Sequence, residues 1–131
     1  MTRRNLIVTA VAFAVLTAAG CGPGKLNSVR TFDMESGNVK AFDMAPQSSA
    51  QTVKIEITSD KPVDVYALLG VSVDDAVNML PEKAKEKAAA SKTKVTSDSF
   101  TVSVPAGQGM AVWVGVSDVG TRAAGSVKLT N

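Results

Sequence analysis

The chain has 131 residues, with 14 basic and 12 acidic side chains, no histidine and a single cysteine. That length suits one domain. Missing histidine removes the commonest general base and metal ligand, one cysteine closes no internal disulfide, and the near-balanced charge speaks against nucleic acid as a partner.

Residues 1–20 read as a signal peptide. Arg3 and Arg4 open it, an uncharged apolar run covers residues 6–19, and Gly20 and Cys21 follow. A helix of that run rises about 21 Å, short of the ~30 Å hydrocarbon core, so a permanent membrane span is the weaker reading. Thr17-Ala18-Ala19-Gly20-Cys21 resembles the bacterial lipobox. The resemblance implies that Cys21 is acylated, becomes the mature N-terminus and holds the protein to a membrane. The competing reading is a plain signal followed by a free cysteine, and a lone exposed thiol is a liability in an exported protein. Arg3-Arg4 also touches the twin-arginine pattern, but the strongly apolar core favours ordinary unfolded export. Gly22 is not the Asp of an inner-membrane retention signal, so an outer-membrane destination is expected where the cell has two membranes. Cleavage removes Arg3 and Arg4 from the 14 basic residues and leaves 12 against 12 acidic ones.

Residues 21–28 read as the lipidated N-terminus and a short tether, and residues 29–131 as the folded domain. Phe32-Asp33-Met34 returns as Phe42-Asp43-Met44, with turn chemistry at Ser36-Gly37-Asn38 between them. Two strands about a turn are expected. Residues 52–58 alternate cleanly, with Val53, Ile55 and Ile57 on one face and Lys54 and Glu56 on the other. Ser59-Asp60-Lys61-Pro62 interrupts the pattern, and Val63, Val65, Ala67 and Leu69 resume it. Residues 73–90 change to helical spacing, with Ser72 as N-cap and Pro81 dividing the segment into a short turn of helix and a second helix that starts at the proline. Lys83, Lys85 and Lys87 lie on its polar face, followed by Lys92 and Lys94. Phe100, Val102 and Val104 alternate, residues 105–109 turn, and Met110, Val112, Val114 and Val116 alternate again, with Trp113 on the reverse face. Val127 and Leu129 close the chain. Strand runs joined by Gly/Pro turns predict a mainly β fold: an antiparallel β-sandwich, jelly-roll or Greek-key-like, with a short helical insert.

Three stretches resemble the pre-peptidase C-terminal type β-sandwich of exported bacterial proteins: residues 60–66, residues 104–116 and residues 125–130. The resemblance implies an accessory domain that binds, spaces or assists secretion, in some members with calcium. Asp60 and Asp64, flanking a strand start, are the candidate calcium ligands, and Asp74, Asp75 and Asp98 could join them. Turn-forming and capping roles explain the same aspartates. Trp113 and Tyr66 are the candidate ligand-binding pair, as a flat sugar- or peptide-binding face. Burial of the strand on both faces explains them equally. Ser117 lies in a Gly-rich stretch with the wrong spacing for a nucleophile elbow and no histidine to activate it.

The functional expectation is therefore a non-enzymatic, lipid-anchored envelope protein that acts by binding or scaffolding, with the membrane as one partner and an envelope protein or glycan as another. The alternatives are a carbohydrate- or peptidoglycan-binding module built on Trp113, and a small carboxylate-dependent hydrolase. No cofactor other than calcium suggests itself.

Overall fold

A computed structural model of the chain describes residues 25–131. The leader, Cys21 and residues 22–24 of the tether lie outside the described residues. The elements are β1 (Asn27–Glu35), β2 (Val39–Met44), β3 (Gln51–Leu69), two short helices α1 (Val73–Val77) and α2 (Pro81–Lys87), β4 (Ala90–Val104), β5 (Met110–Val116) and β6 (Arg122–Thr130). The fold is mainly β and antiparallel throughout, as the alternating runs predict.

The central element is the 19-residue β3. Its first half pairs with β6 over residues 54–59, and its second half pairs with β5 over residues 63–69. β4 follows the opposite edge along both halves, since Ile55 lies between Leu129 and Phe100, and Val65 between Val114 and Lys92. β1 extends the first leaf beyond β6, and β2 extends the second beyond β5. The strand order β1-β6-β3-β5-β2, with β4 attached to β3, thus describes one bent sheet folded into two facing leaves. Arg30 of β1 reaches Asp43 of β2 at 4.0 Å, so the free margins of the two leaves come close and the sheet nearly closes on itself.

The bend has a local cause. Between Thr58 and Val63 the β3–β4 register slips, because residues 59–62 have few counterparts on β4. Such extra residues kink a strand and sharpen its twist. Pro62, which lacks a donor for the ladder, sits here, and its carbonyl accepts from Ser117 N at 3.1 Å. Ser59 Oγ donates to Lys61 O at 2.7 Å. The sequence break at Ser59-Asp60-Lys61-Pro62 is therefore a corner within one strand.

Two cores follow from the two faces. Between the leaves lie Val53, Ile55, Ile57, Val63 and Val65 of β3, with Phe32, Phe42, Met110, Val112, Val114, Val127 and Leu129 from the flanking strands. Burying each such side chain contributes about 1.5–3 kcal/mol. On the outer face of the second leaf, Tyr66, Leu68, Ala111 and Trp113 are covered by Ala76 of α1 and Ala84 of α2. The small alanines let the helices lie close to the sheet. β5 is buried on both faces as a result, and its sequence MAVWVGV lacks a polar row.

β4 is longer than the sequence suggests. It begins at Ala90, so Lys92 and Lys94 belong to a strand and do not prolong the lysine-rich face of α2. Ser, Thr and Lys at alternate positions hide the strand because its outer row is solvated. The helices divide at Pro81, whose missing N–H and bulky ring cannot continue the preceding turn but suit the first turn of α2. Among the described residues no helix is long and apolar enough to cross a membrane.

Candidate functional site

A concavity lies where the helical insert meets the end of β5. Three segments build it. The Ser36–Asn38 turn supplies Gly37 and Asn38; Gly37 has φ 90, a conformation that glycine adopts without steric cost. The α1–α2 junction supplies Val77, Asn78, Met79, Leu80 and Pro81, and β5 supplies Trp113, Gly115 and Val116. The cleft has a volume of about 360 Å³, within the range that holds small ligands.

Its floor is well defined. Trp113 is 2 % exposed, and its Nε1 donates to Met79 O at 3.2 Å, which fixes the ring against the helix junction. The ring lies over Gly115, where a Cβ would stand 2.6 Å from Cη2. Tyr66 packs beside it at 5.1 Å between centroids, tilted by 43°. Burial, followed by the nearby Asp64 and Glu82 carboxylates, raises the Tyr66 pKa, so its phenol is neutral at physiological pH. The structure thus brings Trp113 and Tyr66 together, but beneath the helices. Neither ring presents a flat face to solvent, and only part of Trp113 borders the cleft.

The rim is apolar and open. Leu80 is 70 % exposed and Val77 38 %. Asn38 and Asn78 add amide groups, and Asn78 Nδ2 is engaged with Asp74 O at 2.8 Å. No ionisable side chain lines the cleft. Such a lining can take up an uncharged, largely apolar group and orient it through amides. It offers no proton donor or nucleophile of its own.

The aspartates serve the corner. Asp60 Oδ1 accepts from Ala124 N at 2.8 Å, tying β6 to the bend. Asp64 Oδ1 accepts from Lys94 N at 2.9 Å and from Ser117 Oγ at 2.7 Å, tying β4 and the loop after β5 to it. Asp75 N donates to Ser72 Oγ at the start of α1, and Asp98 pairs with Lys92 at 3.6 Å. Among the described residues no three acidic, cysteine or histidine side chains stand together as a metal site. The Ser117 hydroxyl is engaged as a donor to the Asp64 carboxylate.

The sequence pattern singles out Trp113 but not Val77, Met79, Leu80 or Asn38. The available signal is Leu80 directly before Pro81: an apolar residue at a helix break, where the periodic pattern that would bury it stops. No family model matches this chain, and no curated protein is similar to it.

Proposed function

We propose that the chain is an exported, lipid-anchored envelope protein whose β domain is a non-catalytic binding or scaffolding module, with the cleft between α1, α2 and β5 as its binding site. The composition of that cleft carries the reading: an apolar rim at Val77 and Leu80, two amides and no ionisable group. Cys21 supplies the anchor through its lipobox-like setting, and two acyl chains hold a protein firmly where one does not. β1 begins at Asn27, within the last residues of the tether, and its nine residues carry the chain roughly 26 Å to the turn that lines the cleft. The binding site is thereby set apart from the anchor and can meet a partner away from the lipid surface. The resemblance to the pre-peptidase C-terminal type sandwich stays with the strand motifs that carry it and suits an accessory role. Calcium plays no part in this reading, because Asp60 and Asp64 already accept from main-chain and hydroxyl donors at the corner.

Trp113 is the chain's single tryptophan, so its emission reports on the cleft. Titration with uncharged apolar peptides is expected to shift that emission, and Leu80→Lys to abolish the shift. A response to glycans that survives Leu80→Lys would replace this reading with the carbohydrate-binding one. Silence to both ligand classes would remove the cleft as a binding site. The anchor is tested separately: a palmitate analogue is incorporated into the wild type and not into Cys21→Ser.

A further inference from the structure

β4 has β3 as its single sheet partner, so among the described residues its opposite edge meets no strand. Such an edge presents a row of main-chain donors and acceptors that another strand can complete. The two halves of this edge are built differently. Over residues 90–98 the edge is blunted. The register slips opposite Asp64, Lys94 has φ 54, and Lys92 reaches across the kink to Asp98. Over residues 99–104 none of these devices is present. The pairing with β3 is regular from Glu56↔Ser99 to Gln51↔Val104, and there is no charge, glycine or proline. The inner row is Phe100, Val102 and Val104, and the outer row is Ser99, Thr101 and Ser103, all exposed. An uncharged, β-prone edge of this length is primed for strand addition.

We propose that residues 100–104 pair with the same residues of a second copy, antiparallel about a two-fold axis at Val102, which joins the first leaves of two molecules into one sheet. The side-chain rows select this occupant and this register. An axis at Val102 sets Val102 against its own copy, Phe100 against the second copy's Val104, and Thr101 against the second copy's Ser103. Apolar then meets apolar on the inner face, and hydroxyl meets hydroxyl on the outer. Ser99, opposite Pro105, and Asp98, opposite Ala106, fall beyond the paired segment, and Asp98 faces no carboxylate. Moving the axis to Phe100 or Thr101 forces Asp98 against Val102 or Val104, and moving it to Ser103 brings Pro105 against Thr101. A charged peptide finds no counter-charge anywhere along the segment, whereas a second copy matches it at each position from Phe100 to Val104. The interface is isologous, as a two-fold contact requires. It is small beside a standard interface, so association is concentration-dependent and weak. It uses the side of the first leaf away from β6 and does not depend on the cleft.

Sedimentation velocity on the full chain in detergent, over concentrations up to about 1 mM, reads this directly, with Cys21→Ser run in parallel to separate association through the acyl chains. The wild type and Cys21→Ser are expected to show the same monomer–dimer equilibrium. The double variant Thr101→Lys with Ser103→Lys places lysines opposite each other twice and is expected to weaken the dimer about tenfold or more. Thr101→Lys with Ser103→Glu places opposite charges in the same two pairs and is expected to return it to within about threefold of wild type. Both positions are exposed, and matching melting temperatures confirm that each variant folds. A wild type that stays monomeric throughout, or two charge variants with the same dissociation constant, overturns the proposal.

Discussion

At the residue scale the contact between Trp113 and Gly115 is the most demanding. The indole covers the glycine so closely that a methyl group there would stand 2.6 Å from Cη2 and 2.8 Å from Cζ3. Gly115→Ala is therefore expected to push the ring off its seat, cost about 1–3 kcal/mol in chemical denaturation and red-shift the Trp113 emission. The sequence shows Trp113 and Gly115 on the reverse face of an apolar strand and leaves open whether that face is wet. The answer comes from Ala76 and Ala84, some 30 residues away along the chain, and no local pattern announces that two alanines will cover a tryptophan.

A second residue-scale effect is electrostatic. The Arg122 guanidinium donates through Nε and Nη2 to both Asp33 oxygens, at 2.8 and 3.0 Å, and this hydrogen bond, with the attraction of the charge, lowers the Asp33 pKa. Raised by the same bond, the Arg122 pKa lies above its ordinary value. A carboxylate held low in the folded state stabilises it above the unfolded pKa, and that stability is lost as the pH falls through the folded pKa. Both groups are exposed, so the contribution is small. NMR titration of the Asp33 carboxyl carbon is expected to give a midpoint below the ordinary aspartate value, and Arg122→Gln to return it there without a visible change in the melting temperature at neutral pH.

At the element scale, the chain-local signals match the structure and the pairing of strands has no local signal. The helical insert was legible in detail. Ser72 caps α1 by accepting from Asp75 N at 3.2 Å, and Pro81 occupies the first turn of α2, where its missing N–H costs nothing. Ser72→Ala is expected to weaken the α1 cap by about 1 kcal/mol, seen as faster amide exchange confined to α1 and the cleft rim. The strands were found by their alternation, but their neighbours were not. The Phe-Asp-Met copies flank a turn as expected, yet β1 and β2 do not pair with each other. The turn passes the chain from one leaf to the other, and each strand takes a partner from the C-terminal part of the sequence. The first half of β4 is hidden for a different reason: with Ser, Thr and Lys outward and a bulge at Lys94, its period-two signal is broken where the sheet bends. Asp60 and Asp64 flank a strand start in the sequence pattern but lie at a corner inside β3, and their partners Ala124, Lys94 and Ser117 come from three other segments that no spacing rule names.

At the scale of the whole molecule, nearly every strand pair joins remote parts of the chain, and the described ends meet at one place. Thr130 lies opposite Asn27 on one side and Lys54 on the other. Beyond it, Asn131 accepts from Leu26 N at 2.8 Å through Oδ1 and donates from Nδ2 to Gln51 Oε1 at 2.7 Å. One side chain thus fastens the entry to β1, the exit from β6 and the start of β3. Gln51 is buried, and its Nε2 already finds no hydrogen-bond partner. Asn131→Ala would leave Oε1 unpaired as well, while Leu26 N, which is exposed to water, would lose little. The expected cost is about 1–2 kcal/mol, read as a lower denaturation midpoint with an unchanged slope, since the surface exposed on unfolding stays the same. Asn131→Asp keeps the acceptor for Leu26 but loses the donor for Gln51. If the buried amide dominates, that variant falls as far as alanine. If it keeps the wild-type midpoint, the fastening acts through the Leu26 hydrogen bond at the entry to β1.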